Sequence, residues 1–464
     1  MELFSKLPSV NDVLLAPEVH SLLEAHGHDR VVAAIRERLV EIRAEISADQ
    51  IPEKELESSI ELIVAAVVAK LQCGPEYSLK RVINATGVVL HTNLGRAPLS
   101  EAALRHVVEV ARDYCNLEFD LESGERSKRD IHAERLVLRG LAVPETEMAR
   151  WGVVIVNNCA AATFLTLNTL AEKREVVVSR GELVEIGGGF RIPEILEKSD
   201  AVLREVGTTN RTRAVDYEQA VNEQTALLLR VHQSNFSIEG FVERPSLKEL
   251  VRLAGTLGVA LFEDQGTGLI SGLQEIGVAD QPTLRDSISA GVDLVAASGD
   301  KLLGGPQCGL LVGRADLIAK VRKNPLFRAF RVDKLTYAAL EATLFEYLNG
   351  SGAGLPLMRM LRVPAEEIET RCRGIVESVG SANLMLAVVP VESVIGGGTA
   401  PSARLKSFAV SIRHRQIGAD ELLNKLRCAE LPLIGRIAED AVVLDLRTVP
   451  AEMDETLARA LEQL

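Results

Sequence analysis

The sequence predicts an α/β protein: a parallel sheet buried on both faces, preceded by a helical region and followed by a smaller α+β one. Three observations carry this. Short, continuous apolar runs recur at 153–156, 176–178, 201–206, 226–230, 259–262 and 294–297, and most alternate with helix-length segments such as 160–170 and 247–257. Strands that are apolar on both sides and separated by helices belong to a parallel sheet covered on both faces. Before these runs, apolar residues recur at three- and four-residue spacing, the period of a helix face. After them, helices give way to short strands and helices in alternation.

Taken in order, Val32, Ile35, Leu39, Ile42 and Ile46 mark the buried face of a first helix that starts near Arg30. Leu56, Ile60, Ile63, Val67 and Leu71 mark a second, with Pro52 between the two. Cys73-Gly74-Pro75 ends it, because a proline disfavours helix at the residue before it. Arg30, Arg36, Arg38 and Arg43 lie around the first helix among Glu37, Glu41 and Glu45, the pattern of a solvated face with i,i+4 pairs. The sheet runs follow. Past Asp333 a helix is expected to Asn349-Gly350 and another over about 365–379. Strands are then expected at 386–391, 408–412 and 442–446, with helices at 420–426 and 454–464. The expected domains are 1–72, helical; 73–334, the large sheet domain with its linker; and 335–464, a small α+β domain.

At 464 residues the chain is too long for a single core. Its 47% hydrophobic and 25% charged residues describe a soluble globular protein. No apolar run approaches the roughly 20 residues of a membrane span, and the N-terminus lacks the parts of a signal peptide, so a cytoplasmic location is expected. Cysteines 73, 115, 159, 308, 372 and 428 show no C-x-x-C and no nearby histidine pairing. Neither a structural zinc site nor a disulfide framework is expected. A net charge of −13 disfavours non-specific nucleic-acid binding by the whole surface and leaves room for a local basic face.

In a parallel sheet, ligands bind beyond the carboxyl ends of the strands. After 153–156 come Asn157-Asn158-Cys159-Ala160-Ala161-Ala162-Thr163, a helix start of small residues. Its free N–H groups and positive dipole end suit a phosphate, or they belong to an ordinary capped helix. After 259–262 come Glu263-Asp264-Gln265-Gly266, where a carboxylate could ligate a metal, accept a ribose hydroxyl, face a protonated ring nitrogen or cap a turn. After 294–297 come Ser298, Asp300 and Lys301, then a glycine-rich turn. Alone, Lys301 ends a strand at the surface or stands over a pocket. Together, in one sheet, the three features meet the needs of pyridoxal 5'-phosphate: a helix start for the phosphate, Asp264 for the pyridine nitrogen and Lys301 for the Schiff base. Glu182, Glu185 and His232 are weaker pocket candidates, for which a structural role is an equal account.

Several long motifs carry a resemblance. They are Val82-Ile83-Asn84-Ala85-Thr86-Gly87, His91-Thr92-Asn93-Leu94-Gly95-Arg96, Ser179-Arg180-Gly181-Glu182-Leu183-Val184-Glu185-Ile186-Gly187-Gly188 and Glu205-Val206-Gly207-Thr208-Thr209-Asn210. Ser298-Gly299-Asp300-Lys301-Leu302-Leu303-Gly304-Gly305-Pro306-Gln307 and Asn324-Pro325-Leu326-Phe327-Arg328-Ala329-Phe330-Arg331-Val332-Asp333-Lys334 complete the set. Over essentially its whole length the chain resembles the bacterial selenocysteine synthases, the L-seryl-tRNA(Sec) selenium transferase family.

The resemblance implies a pyridoxal-phosphate-dependent, aspartate-aminotransferase-like (fold type I) core with a helical N-terminal domain and a small C-terminal one. By position, Lys301 is implied as the Schiff-base lysine, Asp264 as the pyridinium partner, and Ser298 with Asn158, Cys159, Ala160, Ala161 and Thr163 as the phosphate site. Arg96, Arg328 and Arg331 are implied to hold selenophosphate, a task that suits the bidentate guanidinium fork. Lys301 is implied to take the Cα proton, with Asp300 assisting or orienting it. The implied reaction turns seryl-tRNA(Sec) into selenocysteinyl-tRNA(Sec) through a dehydroalanyl-tRNA. The N-terminal domain is implied to recognise the tRNA, and the enzyme to be a homo-oligomer, a decamer built as a pentamer of dimers. Two departures stand out: Cys159 replaces an expected asparagine, and Gly396-Gly397-Gly398-Thr399-Ala400-Pro401 is a loose form of the family's glycine motif. The rival readings are a pyridoxal-phosphate lyase acting on a small amino acid or amino sugar, and a non-catalytic tRNA-binding protein.

Overall fold

The computed structural model describes residues 7–47, 59–72, 77–187, 189–278 and 281–464. The expected break at Pro52, the position of Leu56 and the stop at Cys73-Gly74-Pro75 lie outside the described residues. The chain divides into two compact units, Met1–Arg81 and Val82–Leu464.

In the first unit, helices Val10–Leu14, Pro17–His26, His28–Ser47 and Ser59–Gln72 share one core. Ser9 and Asp12 form a reciprocal capping box at its start, at 3.2 and 2.8 Å. The third helix buries Val31, Ala34, Ile35, Leu39 and Ile42. Val32, expected on that face, is only half-buried, because Val31 stands one turn from Ile35 and takes the inward position. The fourth buries Ile63, Val64, Val67 and Leu71.

The second unit is built on a seven-stranded sheet: β1 Trp151–Val156, β2 Glu175–Ser179, β3 Val202–Val206, β4 Thr225–Val231, β5 Ala260–Gly266, β6 Leu294–Ser298 and β7 Gly309–Arg314. Their order across the sheet is β1-β7-β6-β5-β4-β2-β3. Strands β6, β5, β4, β2 and β3 are parallel to one another along that order. β7 runs antiparallel to both β6 and β1, which departs from an all-parallel sheet. The reason is chain length: the turn from Ser298 to Gly309 is too short for the crossover of about a dozen residues or more that a parallel return requires. Reversing at β7 leaves β1 pointing the same way as the others, so the carboxyl ends of β1, β2, β4, β5 and β6 share one edge.

Successive strand residues face opposite sides, and both sides are packed. Val153, Ile155, Val295, Ala297, Leu310 and Val312 meet Val137, Leu138, Tyr337, Leu340 and Leu344 on one face. On the other, Val154, Val176, Val178, Leu227, Leu229 and Leu311 meet Leu165, Leu167, Ile318 and Val321.

A second, five-stranded sheet joins Leu384–Gly396 and Arg404–His414, an antiparallel pair longer than the runs expected there, to Ala441–Asp445, Arg436–Ala438 and Val88–Leu90. Helices Lys334–Gly350, Ala365–Ser378, Ala419–Arg427 and Asp454–Glu462 fall where the sequence places them. The segment 83–90 was not expected here. Val88 pairs with Val394 and Leu90 with Gly396, while Ile83 and Asn84 pair with Leu433 and Ile434. The stitch is made by side chains and a glycine. Asn84 receives the Thr86 hydroxyl at 2.7 Å and gives its amide to the Val88 carbonyl at 3.0 Å. Gly87, at φ +76, leaves room for the buried Asp445 carboxylate, which a Cβ would overlap. Asp445 is itself held by Ser393 and Ser407, both at 2.7 Å. No described helix is long and apolar enough to cross a membrane.

Candidate active site

The three strand ends singled out by sequence meet at one edge of the large sheet. Beyond β1, the Asn158 side chain caps the helix Cys159–Ala171 by accepting from Ala161 N at 2.8 Å. Beyond β6, the chain turns sharply through 299–308. Gly304 N reaches Lys301 O and Gly305 N reaches Gly299 O, each at 2.9 Å, and Gly299 N closes on Cys308 O at 2.8 Å. This turn is anchored to the end of β5, since Leu302 N donates to Thr267 O at 2.8 Å. Gly268, at φ +74, lets the two segments touch: a Cβ there would overlap the Ser298 carbonyl. From the other side the Tyr347 hydroxyl donates to the carbonyl of Leu303 at 2.9 Å. Lys301 is therefore fixed by its backbone, and among the described residues no hydrogen bond holds its Nζ.

Burial at this edge is extreme for charged groups. Lys301 is 6% and Asp264 5% exposed, and Asp300 and Ser298 are buried with them. Burial pushes the Asp264 carboxyl above its ordinary value, against the donors Cys159 and Thr163 and the charge of Lys301, which favour the carboxylate. Cys159 Sγ lies 3.4 Å from Asp264 Oδ1, and Thr163 Oγ1 donates to Oδ2 at 3.1 Å. Burial, then the Asp264 charge, push the Cys159 thiol well up, so it stays protonated and can donate. A Cβ added to Gly266 would stand 3.8 Å from Asp264 Oδ1 and 4.0 Å from Lys301 Nζ. The missing side chain leaves a slot flanked by the carboxylate and the amine.

His232 follows β4, its N–H bonded to Asp264 O at 3.0 Å. Burial, opposed by a hydrogen bond to Gln281 and helped by the charges of Arg230, Arg244 and Lys301, pushes its imidazole down to about 4. It is the one of the three weaker candidates that stands at this edge. The Glu182 carboxylate is occupied: Arg230 pairs with it at 2.9 Å and Val231 N donates to it at 3.0 Å, so it ties the loop after β2 to β4. Glu185 is exposed and pairs with Arg191 at 2.7 Å.

The arginines occupy different settings. Arg96 closes a turn over His91, its N–H reaching His91 O at 3.1 Å, and its guanidinium binds Asp300 at 2.6 Å. It thus reaches the lysine loop through the residue next to Lys301. Arg331 bridges by its backbone to Val156, and its side chain reaches Glu118 at 3.5 Å, a carboxylate shared with Arg126 and Arg129. Arg328 is exposed on the short helix Pro325–Phe330, and no carboxylate pairs with it among the described residues. The structure records no contact between Arg96 and either of the other two.

Much of the motif sequence turns out to be framework. Asn324 caps Pro325–Phe330 and ties it to Asn168 and Thr169 at 2.9 Å, Asp333 caps Lys334–Gly350, and Lys334 donates to the carbonyls of Val110 and Asp113. The link that sequence reasoning did not foresee is the grip of Thr163 and Cys159 on Asp264. Their i,i+4 spacing puts them on one helix face and was the available signal. A groove of about 730 Å³ lies against the C-terminal sheet, lined by Pro390, Glu392, Arg404, Lys406 and Phe408. None of the strand-end residues lines it, so it is not where this chemistry happens. Among the described residues no cluster of histidine, cysteine and carboxylates could hold a metal ion.

A family model described as L-seryl-tRNA selenium transferase matches residues 82–450, and one described as selenocysteine synthase N terminal matches residues 4–43. The L-seryl-tRNA(Sec) selenium transferase of Aquifex aeolicus is 45% identical over 436 residues, covering 94% of both chains. That of Geobacter sulfurreducens is 41% identical over 469 residues, covering 100% of both. Among solved structures, D-glucosaminate-6-phosphate ammonia-lyase superposes with a TM-score of 0.57 at 21% identity, covering 85% of this chain and 97% of that one. That likeness concerns the fold, which is the aspartate-aminotransferase-like (type I) architecture the resemblance implied.

Proposed function

Because the chain belongs to the L-seryl-tRNA selenium transferase family, we propose that it converts L-seryl-tRNA(Sec) to L-selenocysteinyl-tRNA(Sec) with pyridoxal phosphate as cofactor. The observation that carries this reading is the buried amine of Lys301 and the buried carboxylate of Asp264 on either side of the slot at Gly266. The slot, a lysine whose Nζ has no hydrogen-bond partner among the described residues and a helix start beside them fit that cofactor. Lys301 would hold it covalently, Asp264 would face its ring nitrogen, and Ser298 with Asn158, Ala160, Ala161 and the backbone of the helix start at Cys159 and Thr163 would surround its phosphate, the side chains of those two facing Asp264. When bound, the cofactor supplies an electron sink for negative charge at the substrate Cα.

The geometry supports a part for the chain's own residues. The fixed backbone at 299–305 aims Lys301, whose Nζ is the base for the Cα proton in a pocket from which Leu302, Leu303 and the sheet exclude water. The Asp264 carboxylate keeps a proton on the ring nitrogen by its charge. Asp300 orients Arg96, and Arg96 meets an anionic donor only by sharing its guanidinium with Asp300 or leaving it. Selenophosphate as that donor, with Arg96, Arg328 and Arg331 as its holders, belongs to the same proposal. So do recognition of tRNA(Sec) by residues 1–72, a large domain over 73–334, a small one over 335–464, a homodecamer and a cytoplasmic location.

The test is conversion of seryl-tRNA(Sec) with selenophosphate by the wild type and by Lys301→Ala. Conversion should fall to background in the variant. Wild-type conversion by Lys301→Ala would overturn the assignment of the lysine, and no conversion by a cofactor-loaded wild type would overturn the reaction.

A further inference from the structure

Helix Cys159–Ala171 holds three threonines, 163, 166 and 169. Thr166 and Thr169 return their hydroxyls to the carbonyl one turn back, at 2.8 Å to Ala162 and 2.6 Å to Leu165, an ordinary use of a hydroxyl inside a helix. Thr163 does not. Fully buried, it donates at 3.1 Å to Oδ2 of Asp264 on the neighbouring strand β5. Cys159, four residues earlier on the same face, approaches the other oxygen, Oδ1, at 3.4 Å. Both oxygens of one carboxylate are thus met by donors from a single turn of a single helix.

We propose that Thr163, with Cys159 as a weaker companion, is a positioning residue that holds the Asp264 carboxylate aimed at the cofactor's ring nitrogen. This rests on Asp264 being the ring-nitrogen partner. The helix whose first turn faces the phosphate then also sets the carboxylate, so the two ends of the cofactor are located by one rigid element. The chemistry agrees with the geometry. Burial drives Asp264 toward the neutral acid, and a neutral acid loses its grip on a protonated nitrogen. Two donors on its oxygens favour the charged form instead. A hydroxyl is the stronger donor of the two and a thiol the weaker, and the β-branched threonine is held to few rotamers in a helix.

The experiment uses the full-length holoenzyme with pyridoxal phosphate as the probe, and two readouts that need no tRNA: the cofactor dissociation constant and the pH midpoint of its absorption band. Thr163→Val, which keeps the shape and loses the hydroxyl, should raise the dissociation constant about tenfold, the loss expected for a hydrogen bond to a charged group. It should also move the pH midpoint toward that of Asp264→Asn. Thr163→Ser should stay within about twofold of wild type, and Cys159→Ala should change the constant by about twofold, as befits a thiol donor. Combined with Asp264→Asn, Thr163→Val should add nothing, because the two act through one contact. Thr163→Ala repeats the measurement if the valine variant does not fold.

A wild-type constant and band in Thr163→Val would overturn the proposal. So would a serine variant as impaired as the valine one, or full additivity in the double variant. An unchanged band in Asp264→Asn would remove the ring-nitrogen assignment itself, whereas a changed band there beside a normal Thr163→Val would remove only the role of Thr163.

Discussion

Lys301 and Asp264 bring an amine and a carboxyl into the same buried edge of a sheet, and burying charge is costly unless something repays it. Their positions were legible because each follows an apolar strand run at the end where ligands bind. The contacts that hold them were not. Thr163 reaches Asp264 across 101 residues and Arg96 reaches Asp300 across 204, and spacing along a chain says which face a residue occupies without saying what it faces. His232 shows the same limit, since nothing local to it announces a buried ring. Its burial has a measurable sign. The folded imidazole stays neutral down to about pH 4, while an unfolded one protonates near 6.5. The unfolded chain therefore binds more protons in that window, and stability falls as pH drops from 6.5 toward 4. His232→Gln should flatten this slope. Urea unfolding of both proteins at pH 7 and pH 4.5 checks it, and parallel losses in the two would count against the assignment.

At the scale of elements, continuous apolar runs separated by helix-length segments predicted nearly every strand of the large sheet, because those signals are local. The direction of β7 is set by the length of the turn before it rather than by its own residues. The glycines illustrate both kinds of position. Gly268 sits at φ +74 with the Ser298 carbonyl where a side chain would go. Gly268→Ala should destabilise by more than about 1 kcal/mol and weaken cofactor binding, because it pushes the β5 and β6 loops apart. Gly255, in the helix Leu247–Leu257, has open space around it. Gly255→Ala should stabilise by about 0.5–1 kcal/mol. Thermal unfolding with and without pyridoxal phosphate separates the two cases: only the first should lose the stabilisation that the cofactor gives.

For the molecule as a whole, Met1–Arg81 and Val82–Leu464 each have cores of their own. Deleting residues 1–81 should leave a yellow, cofactor-binding protein that no longer retains tRNA(Sec) in filter binding. Undiminished retention by the shortened protein would contradict the role proposed for residues 1–72. Sequence texture missed that 83–90 belongs with the C-terminal strands, since pairing partners that far apart leave no local mark. That pairing also orders the birth of the protein. Val88 leaves the ribosome about 300 residues before its partner Val394, and at roughly 5–20 residues per second the wait is about 15–60 s. For that time a short apolar strand has no neighbour, a situation that invites wrong pairing between nascent chains. A messenger cut short before codon 394 leaves the strand permanently without a mate, so truncated products should be found in aggregates or degraded rather than as a stable large domain.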